Sequence, residues 1–214
     1  MSDSRTRPYF VGIAGGSGSG KTTLLRRLQE RFENADLTFI SLDNYYISRD
    51  DLPRDLGGNI NFDHPSAMDL TALGGDLNRL AQGETVVLDE YTYNNPQIVP
   101  QKIAYRPAPI VVVEGLFVFN HPSVSEQLDL KVFVETHEHL RLSRRIRRDA
   151  AERGYGLEDV LSYYERFVAP MYREHIDPFR HECDLIVPNN RRMDAGIEVL
   201  IHHLEAVLRR KQSS

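Results

Sequence analysis

The residues best suited to chemistry form the run Gly15-Gly16-Ser17-Gly18-Ser19-Gly20-Lys21-Thr22-Thr23. It satisfies the spacing G-x-x-x-x-G-K-S/T, with Gly15, Gly20, Lys21 and Thr22 in the fixed places. Successive glycines let the backbone curl so that several N–H groups point at one phosphate. A helix opening near Gly20 would add the positive end of its dipole. Lys21 has the reach for β- and γ-phosphates, and the Thr22 hydroxyl suits Mg²⁺. The chemistry this predicts is binding of a nucleoside triphosphate, with residues 15–23 as the ATP-binding loop.

Acidic residues at the ends of apolar runs come next. Asp43 follows Phe39-Ile40-Ser41-Leu42, Glu114 follows Ile110-Val111-Val112-Val113, and Asp63 lies in Asn61-Phe62-Asp63-His64-Pro65. A carboxylate beside the phosphate loop can face the γ-phosphate, which makes Asp43 the candidate general base, although a turn or helix-capping aspartate has the same position. Glu114 has the place of an acidic residue that holds Mg²⁺ directly or through water. Asp63 can accept two hydrogen bonds from ribose hydroxyls. His64, before Pro65, reads as structural. Tyr45 and Tyr46, and Tyr91 and Tyr93, are aromatic pairs that suit either stacking on a base or ordinary packing.

The stretch 141–153 is dense in arginine. A solvated helix face, a nucleic-acid patch and a lid that closes cations over phosphates all fit such a run. Beside a phosphate loop the lid is the favoured reading.

The elements that must position these groups follow from the apolar pattern. Buried strands are predicted at 10–14, 37–42, 110–113, 130–134 and 185–187, and helices at 21–32, 68–82, 139–152, 157–168 and 194–210. Strands alternating with helices predict an α/β fold: a P-loop NTPase-type three-layer sandwich with a parallel central sheet. Residues 85–106 read as an inserted β-hairpin around a polar stretch rich in Tyr, Asn and Pro. Residues 139–170 read as a helical lid, with Gly154 and Gly156 ending its first helix. The expectation is one kinase-like domain over 1–214.

The chain has 214 residues, 41% hydrophobic and 27% charged, with a formal net charge of −5. This composition suits a globular domain and argues against a general nucleic-acid binder. No apolar run approaches membrane-spanning length, and residues 1–8 carry no signal-peptide pattern. A lone cysteine, Cys183, excludes an intrachain disulfide. Together these predict a cytoplasmic protein with no membrane partner. A guanine-reading Asn-Lys-x-Asp motif is absent, so a small-molecule kinase is favoured over a GTP-dependent switch.

The order of these segments resembles the uridine–cytidine kinases, within the uridine kinase and phosphoribulokinase superfamily. Nearly the whole chain carries the resemblance: Gly12-Ile13-Ala14 and the phosphate loop, Asp43-Asn44-Tyr45-Tyr46, Phe62-Asp63-His64-Pro65-Ser66-Ala67-Met68-Asp69, Val113-Glu114-Gly115, Arg144-Arg145-Ile146-Arg147-Arg148-Asp149, Glu152-Arg153-Gly154, Pro170-Met171 and the run 183–188. It implies ATP- and Mg²⁺-dependent phosphorylation of the 5′-hydroxyl of uridine or cytidine, as in nucleotide salvage. By matching position Asp43 is the base, and Tyr46, Phe62, Asp63 and Tyr91 contact the nucleoside. Arg145, Arg148 and Arg153 are lid arginines near phosphates and ribose, and Thr22 and Glu114 serve the metal. Homo-oligomers, tetramers or dimers, are common in the family.

Four departures fall on base reading and the lid. Pro96 stands where the family places a base-reading histidine or tyrosine, and proline offers no side-chain hydrogen bond. Asn94, Asn95 or Gln97 could supply that bond instead. Tyr155 stands where a second lid arginine is usual, and Tyr163 where a substrate-contacting glutamine is usual. Pro188-Asn189-Asn190-Arg191 replaces Pro-Arg-Gly. The rivals are a kinase of the same superfamily with another primary-hydroxyl acceptor, and a nucleotide-binding regulator without turnover.

Overall fold

The computed structural model describes residues 7–92 and 99–213, with only the backbone of Glu152 and Arg153. In chain order its strands are β1 (Tyr9–Ala14), β2 (Leu37–Ser41), β3 (Val86–Asp89), β4 (Lys102–Tyr105), β5 (Ile110–Glu114), β6 (Leu130–Glu135) and β7 (Leu185–Pro188). Its α-helices are α1 (Lys21–Arg31), α2 (Leu70–Ala81), α3 (Pro122–Ser125), α4 (Glu138–Arg153), α5 (Leu157–Tyr163), α6 (Ala169–His175) and α7 (Asp194–Gln212).

Five strands form a sheet in the order β2-β5-β1-β6-β7. All its pairs are parallel, with Tyr9 opposite Ile110 and Val11 opposite Leu130 flanking β1. Parallel strands covered on both faces need apolar residues at both phases of the pleat, which is why Ile110-Val111-Val112-Val113 runs without a polar interruption. The two phases feed two cores. Phe10, Val111, Val113 and Phe133 pack with Leu70, Leu73, Leu77 and Leu80 on α2. Val11, Ile13, Ile110, Val112 and Val132 pack with Leu24 and Leu28 on α1 and with Ile197, Leu200 and Leu204 on α7. Helix, sheet and helix make the three layers. From β1 the chain winds to one edge at β2, and after β5 it winds to the other, so the loop following β1 opens at the crevice of the sheet. The carboxyl ends of β1, β2, β5 and β6 face one edge, and the site is built there.

β3 and β4 form an antiparallel hairpin with Val86 opposite Tyr105 and Asp89 opposite Lys102. Its tip, with Tyr93, Asn94, Asn95, Pro96 and Gln97, lies outside the described residues. Among the described residues no helix is long and apolar enough to cross a membrane.

Two departures from the expected helices have a local cause, beyond shifts of one or two residues at the ends of α1, α4 and α7. α2 begins at Leu70, because the Asp69 carboxylate accepts the Ala72 amide at 2.8 Å and so caps the helix two residues later than the apolar pattern starts. The helix expected over 157–168 is α5 plus a π-helical turn, Tyr164–Val168, that runs directly into α6. Pro170 has no N–H to give and its ring crowds the turn before it, so the chain widens there rather than stopping. Gly154 closes α4 with φ of 69°, as its place predicts, while Gly156 precedes α5 as its cap.

Candidate active site

The phosphate loop runs from β1 into α1. Gly18 and Gly20 have φ of 76° and 107°, conformations that favour glycine. A Cβ on Gly20 would lie 2.2 Å from Asn189 Nδ2, and one on Gly18 2.6 Å from the Arg141 carbonyl oxygen. The glycines therefore also let neighbouring elements reach the loop. The Ser19 carbonyl accepts from Asn189 Nδ2 at 2.7 Å and Thr136 Oγ1 at 2.9 Å. Arg144 donates to the Gly18 carbonyl at 3.2 Å and to the Asn189 carbonyl at 3.0 Å. The residues following β6 and β7 thus brace the loop. Lys21 Nζ donates to the Gly15 carbonyl at 2.8 Å, which holds the ammonium within the loop.

Lys21, Asp43 and Glu114 come together at the strand ends and feel one another's charge. Burial pushes the Lys21 ammonium below its ordinary range, while the carboxylates of Glu114 and Asp43 oppose that drop. Burial pushes Glu114 up; Lys21 and a hydrogen bond pull it back, and the Asp43 charge adds to the rise. That bond comes from Ser41 Oγ to Glu114 Oε1 at 2.8 Å. Ser41 also accepts the Asp43 amide at 3.3 Å, capping the short turn Leu42–Tyr45. One serine therefore fixes both carboxylate-bearing segments.

The arginines of α4 lie over the loop. Arg145 Nη1 is 3.3 Å from Ser17 Oγ, and Arg148 Nη2 is 3.5 Å from it. The buried Asp149 holds both, at 3.2 Å from Arg145 Nε and 2.9 Å from Arg148 Nη2. Arg147 points to solvent. The side chain of Arg153 is outside the description, and Tyr155, where the resemblance predicts an arginine, is exposed.

On the other side of Arg145 is the segment carrying Asp63. Arg145 Nη1 lies 3.7 Å from Asp63 Oδ1, and both residues are buried. The Tyr163 hydroxyl accepts the Phe62 amide at 3.0 Å, and its ring lies under the Arg145 guanidinium. Burial and the Asp63 charge push this phenol far above its ordinary range. Tyr46 stacks on Tyr91 with ring centres 4.7 Å apart and meets Phe62 edge-on at 6.1 Å. Asn44 links the hairpin to this wall: it accepts the Tyr91 amide at 3.1 Å and donates to the Tyr105 hydroxyl at 2.9 Å. Tyr45 does not join them. It is buried in the core and its hydroxyl bonds Asp76 at 3.1 Å, so packing is its role. The His64 ring accepts the Ser66 amide at 3.1 Å, a capping role.

The structure thus brings together Lys21, Asp43 and Glu114 in one group, and Ser17, Arg145, Asp63, Phe62 and Tyr46 in another that adjoins it. Sequence reasoning missed Ser41, Thr136, Arg144 and Asn189 as loop and strand-end braces. The available signal was their place, at or just after the carboxyl ends of β2, β6 and β7 or on the helix that follows.

Comparison with known proteins identifies the family. The model of the phosphoribulokinase / uridine kinase family matches residues 10–195. A uridine kinase of Ligilactobacillus salivarius is 32% identical over 212 residues, 99% of this chain and 100% of that one. Uridine-cytidine kinase B of Dictyostelium discoideum is 34% identical over 208 residues, 96% of this chain and 85% of that one. In fold, phosphoribulokinase from Rhodobacter spheroides superposes with a TM-score of 0.72 over 98% of this chain and all of that one, at 17% identity. With the phosphate loop, the parallel sheet and this coverage in hand, the chain belongs to the phosphoribulokinase / uridine kinase family.

Proposed function

We propose that this chain transfers the γ-phosphoryl group of ATP to the 5′-hydroxyl of a pyrimidine ribonucleoside, uridine or cytidine, giving the nucleoside monophosphate and ADP. The observation that carries this reading is Arg145: one guanidinium meets Ser17 of the phosphate loop at 3.3 Å and Asp63 of the acceptor segment at 3.7 Å. A kinase needs donor and acceptor held by common groups, because positioning and charge neutralisation supply most of its catalysis. The names of the relatives, uridine kinase and uridine-cytidine kinase B, agree with this acceptor.

In this reading Asp63 holds the ribose hydroxyls, and Tyr46, Phe62 and Tyr91 wall the nucleoside. Asp43 takes the proton as the 5′-oxygen attacks the γ-phosphorus and the bond to the β-phosphate oxygen breaks. Lys21, Arg145 and Arg148 neutralise the charge on the moving group, and Arg153 joins them at the substrate. The loop amides of residues 15–23 bind the triphosphate. For Mg²⁺, the meeting of Asp43 and Glu114 is the fit: the Glu114 carboxyl is pushed up partly by its neighbour's charge, which a divalent cation would relieve. Thr22, exposed at the start of α1, adds a hydroxyl. Among the described residues no cluster of three or more His, Cys, Asp or Glu forms a cage of its own, which suits a cation held largely by phosphates and water. Bound there, Mg²⁺ would add positive charge at the phosphates.

We read residues 1–214 as one kinase domain with a hairpin insertion and a lid, working in the cytoplasm, where its Cys183 thiol stays reduced. Assembly into dimers or tetramers is part of the same reading. The test is ADP release with ATP·Mg²⁺ against ribonucleosides, deoxyribonucleosides and other primary-hydroxyl metabolites. Stimulation by uridine or cytidine is the expected result. Turnover with a different acceptor alone would move the reading elsewhere in the superfamily, and ATP binding without stimulation by any acceptor would point to a regulator.

A further inference from the structure

Arg141, the first arginine of α4, has no part in the proposed mechanism. It is 3% exposed. Its Nε donates to the Thr136 carbonyl at 3.1 Å, and its guanidinium lies 3.5 Å over the Tyr172 ring. Its Nη1 is sealed from solvent and has no hydrogen-bond partner among the described residues. Arg145 and Arg148 pair with Asp63 and Asp149. Arg141 has no carboxylate within ion-pair distance among the described residues.

A buried cation with an open donor is unfavourable unless something answers its charge. The ring face of Tyr172 answers part of it. Tyr172 is itself fixed, because its hydroxyl donates to Asp177 Oδ1 at 3.1 Å. The open Nη1 lies against Gly16 of the phosphate loop, where a Cβ would stand 2.2 Å from it and 2.9 Å from the Tyr172 ring. Glycine at 16 is therefore what lets the guanidinium press on the loop. The charge also reaches Lys21, whose ammonium is pushed down chiefly by burial and in smaller part by Arg148 and Arg141. In a site from which water is excluded, a fixed charge acts over several ångströms with little screening.

We propose that the counter-charge of Arg141 is the bound polyphosphate: the guanidinium against Gly16 is a positioning residue that biases the loop toward a polyanion, and Tyr172 holds it there. This rests on the phosphate-loop reading above. It makes the empty enzyme carry an unfavourable charge that binding relieves. A residue that merely packs α4 on the loop would have the opposite effect on the empty protein.

The experiment uses the full chain and inorganic tripolyphosphate, titrated by calorimetry, with thermal midpoints measured in its absence. For Arg141→Met the expected result is a raised midpoint of the empty protein and tripolyphosphate affinity weakened at least fivefold. The KM for ATP should rise while the KM for the nucleoside is unchanged. Tyr172→Leu should weaken tripolyphosphate in the same direction by a smaller factor. An affinity loss below fivefold in Arg141→Met overturns the proposal. Should that variant fail to fold, Arg141→Gln is read by the same criterion, and failure of both overturns it, because the guanidinium would then stabilise the empty protein. Wild-type protein that binds neither tripolyphosphate nor ATP would overturn the phosphate-loop reading together with this one, whereas binding by wild type with no effect of the variants would remove this proposal alone.

Discussion

The Tyr163 hydroxyl accepts the Phe62 amide at 3.0 Å, so helix α5 is tied to the segment that presents Asp63. The two residues are 101 positions apart in sequence. Where the resemblance predicts a glutamine stands a tyrosine that holds the segment carrying Asp63. Tyr163→Phe keeps the ring under Arg145 and leaves the Phe62 amide without its partner, a loss of about 1–3 kcal/mol. The expected outcome is a nucleoside KM raised on the order of tenfold, with kcat and the KM for ATP little changed. Steady-state kinetics with each substrate varied in turn checks it.

Asp43→Asn keeps the shape of the turn after β2 and removes the proposed base. Loss of general base catalysis is worth about 10²–10⁴ in rate. kcat should fall by that order while ATP affinity holds, as read by single-turnover ADP formation and by direct ATP titration. An unchanged rate would make Asp43 a turn residue. Lys21→Ala is the companion: phosphoryl transfer should be lost and the circular dichroism spectrum kept.

Asp149 is 2% exposed and holds both Arg145 and Arg148. Removing one partner of a buried ion pair costs about 3–5 kcal/mol, because the other charge is left behind. At roughly 2–4 °C per kcal/mol for a chain of this size, Asp149→Ala should lower the thermal midpoint by on the order of 10 °C. The KM for ATP should rise with it, since the two guanidinium groups over Ser17 lose their support. A scanning calorimetry trace of the purified variant gives the first number, and initial rates give the second.

The Cys183 thiol is pushed up to about 12, chiefly by burial, and donates to the Phe179 carbonyl at 3.1 Å. At pH 8 it should react with iodoacetamide far more slowly in the native protein than after unfolding, as mass spectrometry of timed samples would read. The sign for stability follows from the same shift. The folded chain keeps the proton longer, so the unfolded chain ionises first as pH rises past 9, and this thiol's contribution is lost between pH 9 and about 12.

How far the sequence reached is clearest at the two ends of Arg145. The phosphate loop was legible because its function rests on local spacing: glycines that turn the chain, then a lysine and a threonine opening a helix. The parallel sheet was legible because uninterrupted β-branched runs need cover on both faces. Asp43 and Glu114 were legible as acids at strand ends, since such ends line the crevice of an open sheet. None of this local logic joins residue 145 to residues 17 and 63, or residue 189 to residue 19. Those contacts exist because the strand order β2-β5-β1-β6-β7 sets the end of β6 beside β1 and the end of β7 next to β6. The helix leaving β6 then lies over the loop that follows β1. The sequence by itself determined that a glycine-rich loop with Lys21 would follow β1 and which carboxylates would stand near it. Only the tertiary structure decided which arginines lie over that loop, that Asn189 braces it, and that Arg141 lies against Gly16 with no carboxylate in ion-pair distance among the described residues, because pairing between distant side chains is set by packing rather than by spacing along the chain.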